Sequence, residues 1–277
     1  GDEVLVPNPG FVAYPTVVRL SGGVPIEYPL RGENSFHLLE RELFSLVTAR
    51  TRAIILVSPS NPTGQCLSRK QMELISTIAE EKGLLLISDE IYREIYYTDE
   101  KPTSVTQVSD QAVVLSGASK MASMTGWRLG WACGPQEIID KTIVTHQYTS
   151  SSASTLAQKA GMKLFTKEGE SAVIGQRRLL EVNLNLLCSC LDKELLRTYV
   201  RPQGAFYLML SVEDLGMDSL NVSLQLLKER VVTIPGAAFG SEGEGFLRLS
   251  FACGRDTIIQ GVERIKKGLQ RLDRSTS

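Results

Sequence analysis

Cysteine and histidine are scarce in this chain, and long apolar runs and charge imbalance are missing. The 277 residues include five cysteines, Cys66, Cys133, Cys188, Cys190 and Cys253, scattered and without any Cys-x-x-Cys. A disulfide framework is therefore not expected. Cys188 and Cys190 lie two apart in a leucine-rich segment; on a helix they point in different directions and read as plain buried thiols. With only His37 and His146, a histidine-rich metal site is not expected either. The longest apolar stretches, such as residues 53–57 and 84–87, fall far short of the roughly 20 residues that cross a bilayer. The 30 basic and 31 acidic residues leave a formal charge of −1 without a long run of one sign, so no nucleic-acid or membrane partner is expected. The opening Gly-Asp-Glu-Val has neither the basic nor the apolar region of a secretory signal. A cytoplasmic protein acting on a small molecule, or pairing with a second copy, is the expectation.

What the chain does have is 43% apolar residues, enough for one large domain and a smaller one. Short apolar runs at 4–6, 26–30, 53–58, 84–88, 112–116 and 129–133 alternate with segments of helical period, the pattern of an α/β protein with a mainly parallel sheet. Phe36, Leu39, Leu43, Leu46 and Val47 form one helical stripe; Met72, Ile75, Ile78 and Ala79 form another. Residues 149–155 are rich in serine and threonine, and a helical stretch over 156–191, broken near 167–169, reads as the bridge between domains. Beyond Pro202 the pattern changes to strands at 205–210, 231–235 and 246–251, with a helix near 220–229. A last helix carries Ile258, Val262, Ile265, Leu269 and Leu272 on one face. A large domain over 1–185 and a small α+β domain over 186–277 are expected.

Open α/β sheets place their ligands at strand ends, and four ends of the candidate strands carry distinctive polar groups. They are Asn61 in Ser58-Pro-Ser-Asn-Pro-Thr-Gly64, Asp89 and Tyr92 in Ser88-Asp-Glu-Ile-Tyr92, Lys120 in Ser116-Gly-Ala-Ser-Lys120, and Arg128 in Thr125-Gly-Trp-Arg-Leu-Gly130. Taken singly, each has a plain explanation. Asn61 suits a turn, Asp89 could cap a segment starting at Ile91, and Tyr92 could be a half-buried aromatic. An arbitrary lysine is a solvated charge, but Lys120 follows an apolar strand and a turn of small residues.

Together, and with Arg248 in Phe246-Leu-Arg-Leu-Ser-Phe251, the order and spacing of these segments resemble the class I/II aminotransferases, fold-type-I enzymes of pyridoxal phosphate (PLP). The likeness runs over nearly the whole chain. It implies a seven-stranded-type, mainly parallel sheet flanked by helices, a smaller C-terminal domain and a homodimer. It further implies transfer of an amino group between an amino acid and a 2-oxo acid, with an aspartate-aminotransferase-like pattern. On this likeness Lys120 forms an imine with PLP and shuttles the α-proton, and Asp89 keeps the pyridine nitrogen protonated. Asn61 and Tyr92 bond the phenolic oxygen, Asn61 also facing substrate. Arg128 clamps the phosphate, Phe11 in Pro9-Gly-Phe-Val-Ala-Tyr-Pro15 stacks on the ring, and Arg248 receives the substrate carboxylate. Pro235-Gly-Ala-Ala-Phe-Gly240 is also typical of the family.

Two departures matter. Many relatives have tryptophan or tyrosine where Phe11 stands, so stacking is retained and a polar handle is not. A complete member has roughly a hundred further residues upstream, including a helix N-terminus that offers backbone N–H groups to the phosphate. These 277 residues alone are therefore expected to bind PLP weakly and turn over slowly, up to an inactive fragment. Carbon–sulfur β-lyases and a related synthase share the same lysine, aspartate and arginine, and are the alternative activities.

Overall fold

The computed structural model describes residues 1–194 and 198–275. Six strands, β1 (Glu3–Asn8), β2 (Val24–Pro29), β3 (Thr51–Val57), β4 (Leu85–Asp89), β5 (Val113–Gly117) and β6 (Gly130–Cys133), form one sheet in the order β2-β1-β3-β4-β5-β6. The first five are parallel and β6 runs antiparallel to β5. The architecture is the expected mainly parallel α/β sheet; the described residues supply six of the seven strands expected.

The apolar runs are double-faced, as a sheet covered on both sides requires. Leu5, Ile54, Leu56 and Leu86 enter the larger core, whereas Val6, Ile55, Val57 and Ile87 point to the other face. This is the period-two alternation of a strand. Helix α1 (Ala13–Leu20) covers the second face with Tyr14 and Val18. The short α2 (Glu40–Ser45) and α3 (Arg69–Glu81) cover the first with Leu43, Met72 and Ile75. Lys120 sits in a single helical turn, α4 (Ala118–Met121), directly after β5.

Of the stripe expected from Phe36 to Val47, only α2 is α-helical. Phe36 takes a left-handed φ of 58° and packs edge-on against Phe246 at 5.0 Å, so tertiary packing overrides its helical spacing. Helix α5 (Gln136–Ser150) was not expected from periodicity, and none of its residues is buried.

The predicted bridge consists of α6 (Thr155–Gly161), a 3₁₀ turn (Met162–Phe165) and α7 (Lys167–Glu194). The break falls at Thr166, just ahead of 167–169. The expected domain division after residue 185 thus lies inside α7, which bonds both parts of the molecule. Gln176 donates to the Lys120 carbonyl at 3.0 Å, and Asn183 donates to those of Phe251 and Cys253 at 3.0 and 2.9 Å.

A second sheet, in the order β7-β8-β10-β9, contains β7 (Tyr199–Val200), β8 (Tyr207–Ser211), β9 (Ile234–Pro235) and β10 (Phe246–Ser250). Helices α8 (Ser219–Lys228) and α9 (Arg255–Ser275) complete this part. Leu208, Leu210, Leu247 and Leu249 pack with Ile258, Val262 and Ile265 of α9. Met209 and Phe246, on alternate positions, join the core of the first sheet. Residues 195–197 and 276–277 of the expected small domain lie outside the described residues.

Candidate active site

The carboxyl ends of β3, β4 and β5 lie side by side, with Val57 paired to Asp89 and Asp89 to Leu115. The parallel register therefore gathers the segments that follow each strand. Asp89 ends β4 with one carboxylate oxygen accepting from the Ile91 backbone N–H at 3.0 Å. The local cap expected of an aspartate after a strand is thus present, though residues 91–94 form turns and no helix. Its other oxygen accepts the Tyr14 hydroxyl proton at 2.7 Å. Burial raises the Asp89 pKa, outweighing the bonds from Tyr14 and Ile91 and the charge of Lys120. Asp89 is thus a half-buried carboxylate with two donors.

Burial also holds the Tyr14 phenol protonated far above its ordinary range, and the negative charge of Asp89 adds to this. Tyr14 was not singled out in the sequence. Its signal was available: it stands three residues after Phe11 at the start of a helix, where such neighbours share a face. Phe11 is 41% exposed, and its ring meets Tyr14 edge-on at 5.6 Å.

Tyr92 is buried, 4% exposed, with the Lys120 ammonium 6.0 Å from its ring centre. Its hydroxyl shares a 3.1 Å hydrogen bond with that of Tyr207. Burial raises the Tyr92 pKa, so its hydroxyl is neutral at ordinary pH.

Asn61 follows a cis Ser58–Pro59 bond and precedes a cis Asn61–Pro62 bond. Its Oδ1 accepts from an Arg248 guanidinium nitrogen at 2.7 Å, joining positions 187 apart in the chain. Arg248 also lies over the rings of Tyr207 (4.2 Å) and Phe239 (4.6 Å). Its Nε is buried without a partner, no carboxylate pairs with it among the described residues, and burial lowers its pKa. A desolvated guanidinium without a counter-ion is a costly arrangement that an incoming carboxylate relieves.

Arg128 is less closely joined to the rest. It is exposed, takes a left-handed φ of 54°, and donates to the Thr125 carbonyl at 3.1 Å. It lines a cavity of about 1160 Å³, while Lys120 lines another of about 670 Å³ with Gln176, Asn183 and Phe206. Ser123 borders both. The structure therefore draws together Asn61, Asp89, Tyr92, Lys120 and Arg248, links Phe11 to them through Tyr14, and leaves Arg128 at the rim.

The arrangement sets a lysine after a strand, near a half-buried aspartate, in one region with an arginine that no carboxylate pairs among the described residues. Comparison with known proteins gives the family. Residues 1–265 match the family model "Aminotransferase class I and II". The aspartate aminotransferase of Pyrococcus abyssi is 38% identical over 275 residues, covering 98% of this chain and 70% of the relative. An aromatic-amino-acid aminotransferase of Thermococcus litoralis is 37% identical over 274 residues, with coverages of 97% and 70%. The crystal structure of an aromatic aminotransferase from Pyrococcus horikoshii superposes with a TM-score of 0.94 at 36% identity, covering 99% of this chain and 74% of that one. The chain belongs to the class I and II aminotransferase family. It is an enzyme of the PLP-dependent aminotransferase type, a family whose substrates are amino acids and 2-oxo acids.

Proposed function

We propose that this chain exchanges an amino group between an amino acid and a 2-oxo acid with PLP held on Lys120. The observation that supports this reading best is a pair of half-buried groups whose charged forms burial disfavours, the Asp89 carboxylate and the Arg248 guanidinium, the second without a carboxylate partner among the described residues. A protonated pyridine nitrogen satisfies the first, and a substrate carboxylate the second. Both are what PLP and an amino acid bring.

When bound, PLP supplies an electron sink for negative charge at the substrate's α-carbon. Lys120 Nζ would hold the cofactor through its aldehyde, and the same amine, when free, would carry a proton to and from the substrate's α-carbon. Asp89 would hold a proton on the pyridine nitrogen, and Tyr14 holds Asp89. Tyr92 and Asn61 would donate to the phenolic oxygen, and Asn61 Oδ1 accepts from Arg248. Phe11 would cover one ring face and Arg128 would take the phosphate. Arg248, carried on the second sheet, takes the α-carboxylate, so movement of a C-terminal domain over residues 186–277 would shut water out. A cytoplasmic homodimer is the proposed state.

Borohydride reduction of PLP-loaded protein followed by peptide mapping tests the central assignment. The pyridoxyl group is expected on Lys120, and Lys120→Ala should remove both the adduct and the visible absorbance without changing the fold. An adduct on another lysine would falsify the assignment. The family names divide between aspartate and aromatic substrates, so both donors belong in the assay. A new amino acid formed from an added 2-oxo acid is the expected product; pyruvate with ammonia would instead mark a lyase.

A further inference from the structure

Tyr207 has no role in the scheme above, yet it touches two of its parts. In the antiparallel pairing of β8 with β10, Arg248 lies opposite Met209 and Ser250 opposite Tyr207. Residues two apart on a strand share a face, so Tyr207 and Arg248 are diagonal neighbours on one face, within reach of each other's long side chains. The guanidinium carbon lies 4.2 Å from the Tyr207 ring centre. At the far end of the same ring, the hydroxyl meets the Tyr92 hydroxyl at 3.1 Å in a buried contact. The Phe206 ring packs against both tyrosines at 5.5 and 4.6 Å, narrowing their freedom to turn.

Resting on the PLP reading above, we propose that Tyr207 is a positioning residue that ties the cofactor end of the site to the substrate end. Its hydroxyl donates to Tyr92 and its ring face seats Arg248. The direction of the first bond follows from proton count. Tyr92 has one O–H and must point it at the cofactor's ionised oxygen, so the hydrogen between the two tyrosines comes from Tyr207. A phenol that accepts one hydrogen bond is the better donor of the next. The ring supplies the second function: Arg248 has no carboxylate among the described residues and an unpartnered Nε, and the π face holds it in place before substrate arrives. With one side chain serving both, a change at the carboxylate end reaches the group that tunes the imine.

Two substitutions separate these functions. Tyr207→Phe keeps the ring and removes the donor. In PLP-loaded protein, the pH midpoint of the visible absorbance change should move upward by about half a unit, because Tyr92 then stabilises the ionised oxygen less. Binding of maleate and 3-phenylpropionate, carboxylates without an amine, should stay within about twofold, since the ring that seats Arg248 remains. Tyr207→Leu removes both, and should in addition weaken those carboxylates about fivefold and raise KM more than it lowers kcat. Melting temperatures of both variants control for general loosening. A Tyr207→Phe protein that titrates like the wild type, or a Tyr207→Leu protein that binds carboxylates unchanged, overturns the inference alone. A wild-type protein with neither visible band nor lysine adduct overturns the PLP reading as well.

Discussion

Asp89 shows at the scale of one residue how a site keeps charge at the expense of stability. Its pKa lies above the ordinary 3.8 because burial outweighs its two hydrogen bonds and the charge of Lys120. The folded state therefore holds this proton more tightly than the unfolded chain does. Stability contributed at low pH is lost as pH rises through the window from 3.8 to the raised value, and stays lower above it. Replacing Asp89 with Asn should raise the melting temperature of the PLP-free protein at pH 7, with the gap closing below pH 3.8, where the carboxyl is neutral in both states. The same variant should lose transaminase activity. A lower melting temperature for Asp89→Asn at pH 7 would contradict this account. Residue types carried the information about such positions: a lysine, an aspartate and an arginine at strand ends can be read from the chain. Tyr14 and Tyr207 could not be read so directly, because a tyrosine on an apolar face looks like core until its hydroxyl is seen to meet Asp89 or Tyr92.

At the scale of elements, the turn after β3 and the start of α3 are built from local chemistry. Ser68 and Gln71 form a reciprocal cap at the α3 N-terminus, so Ser68→Ala should cost about 1 kcal/mol in urea unfolding. Gly64 has a φ of +69°, and a Cβ there would run into Pro202 Cβ and the Gly204 carbonyl. Its own carbonyl accepts from the Gln203 and Gly204 N–H groups, both at 2.9 Å. Gly64→Ala should therefore lower stability by roughly 1–3 kcal/mol and raise KM, since the displaced loop carries Asn61 to Arg248. An unchanged KM in a clearly destabilised Gly64→Ala protein would separate the turn from the site. Periodicity found α3, whose apolar stripe is buried, and missed α5, which buries none of its residues. It overextended α2 because a spacing compatible with a helix does not reveal a left-handed backbone at Phe36.

For the whole molecule, α7 and the Asn61–Arg248 bond connect two sheets that the chain builds far apart in sequence. Asn183, 6% exposed, is a pivotal point. Its amide donates to the carbonyls of Phe251 and Cys253, just beyond the strand that bears Arg248. Asn183→Ala leaves two carbonyls without that donor and should cost about 2 kcal/mol, read as a lower urea midpoint, with substrate KM rising as β10 loses its support. A midpoint within error of wild type would show that solvent replaces the amide.

The sequence by itself determined the elements of the large sheet, the polar strand ends and the family, because period, turn residues and the order of chemical groups are local or one-dimensional properties. Only the tertiary structure decided which side chains meet. It placed Arg248 on Asn61, Tyr14 on Asp89 and Tyr207 between Tyr92 and Arg248, and it left Arg128 exposed at the rim. Strand register and the packing of one sheet on the other set those distances, and they depend on contacts between residues far apart in the chain, 187 positions for Asn61 and Arg248.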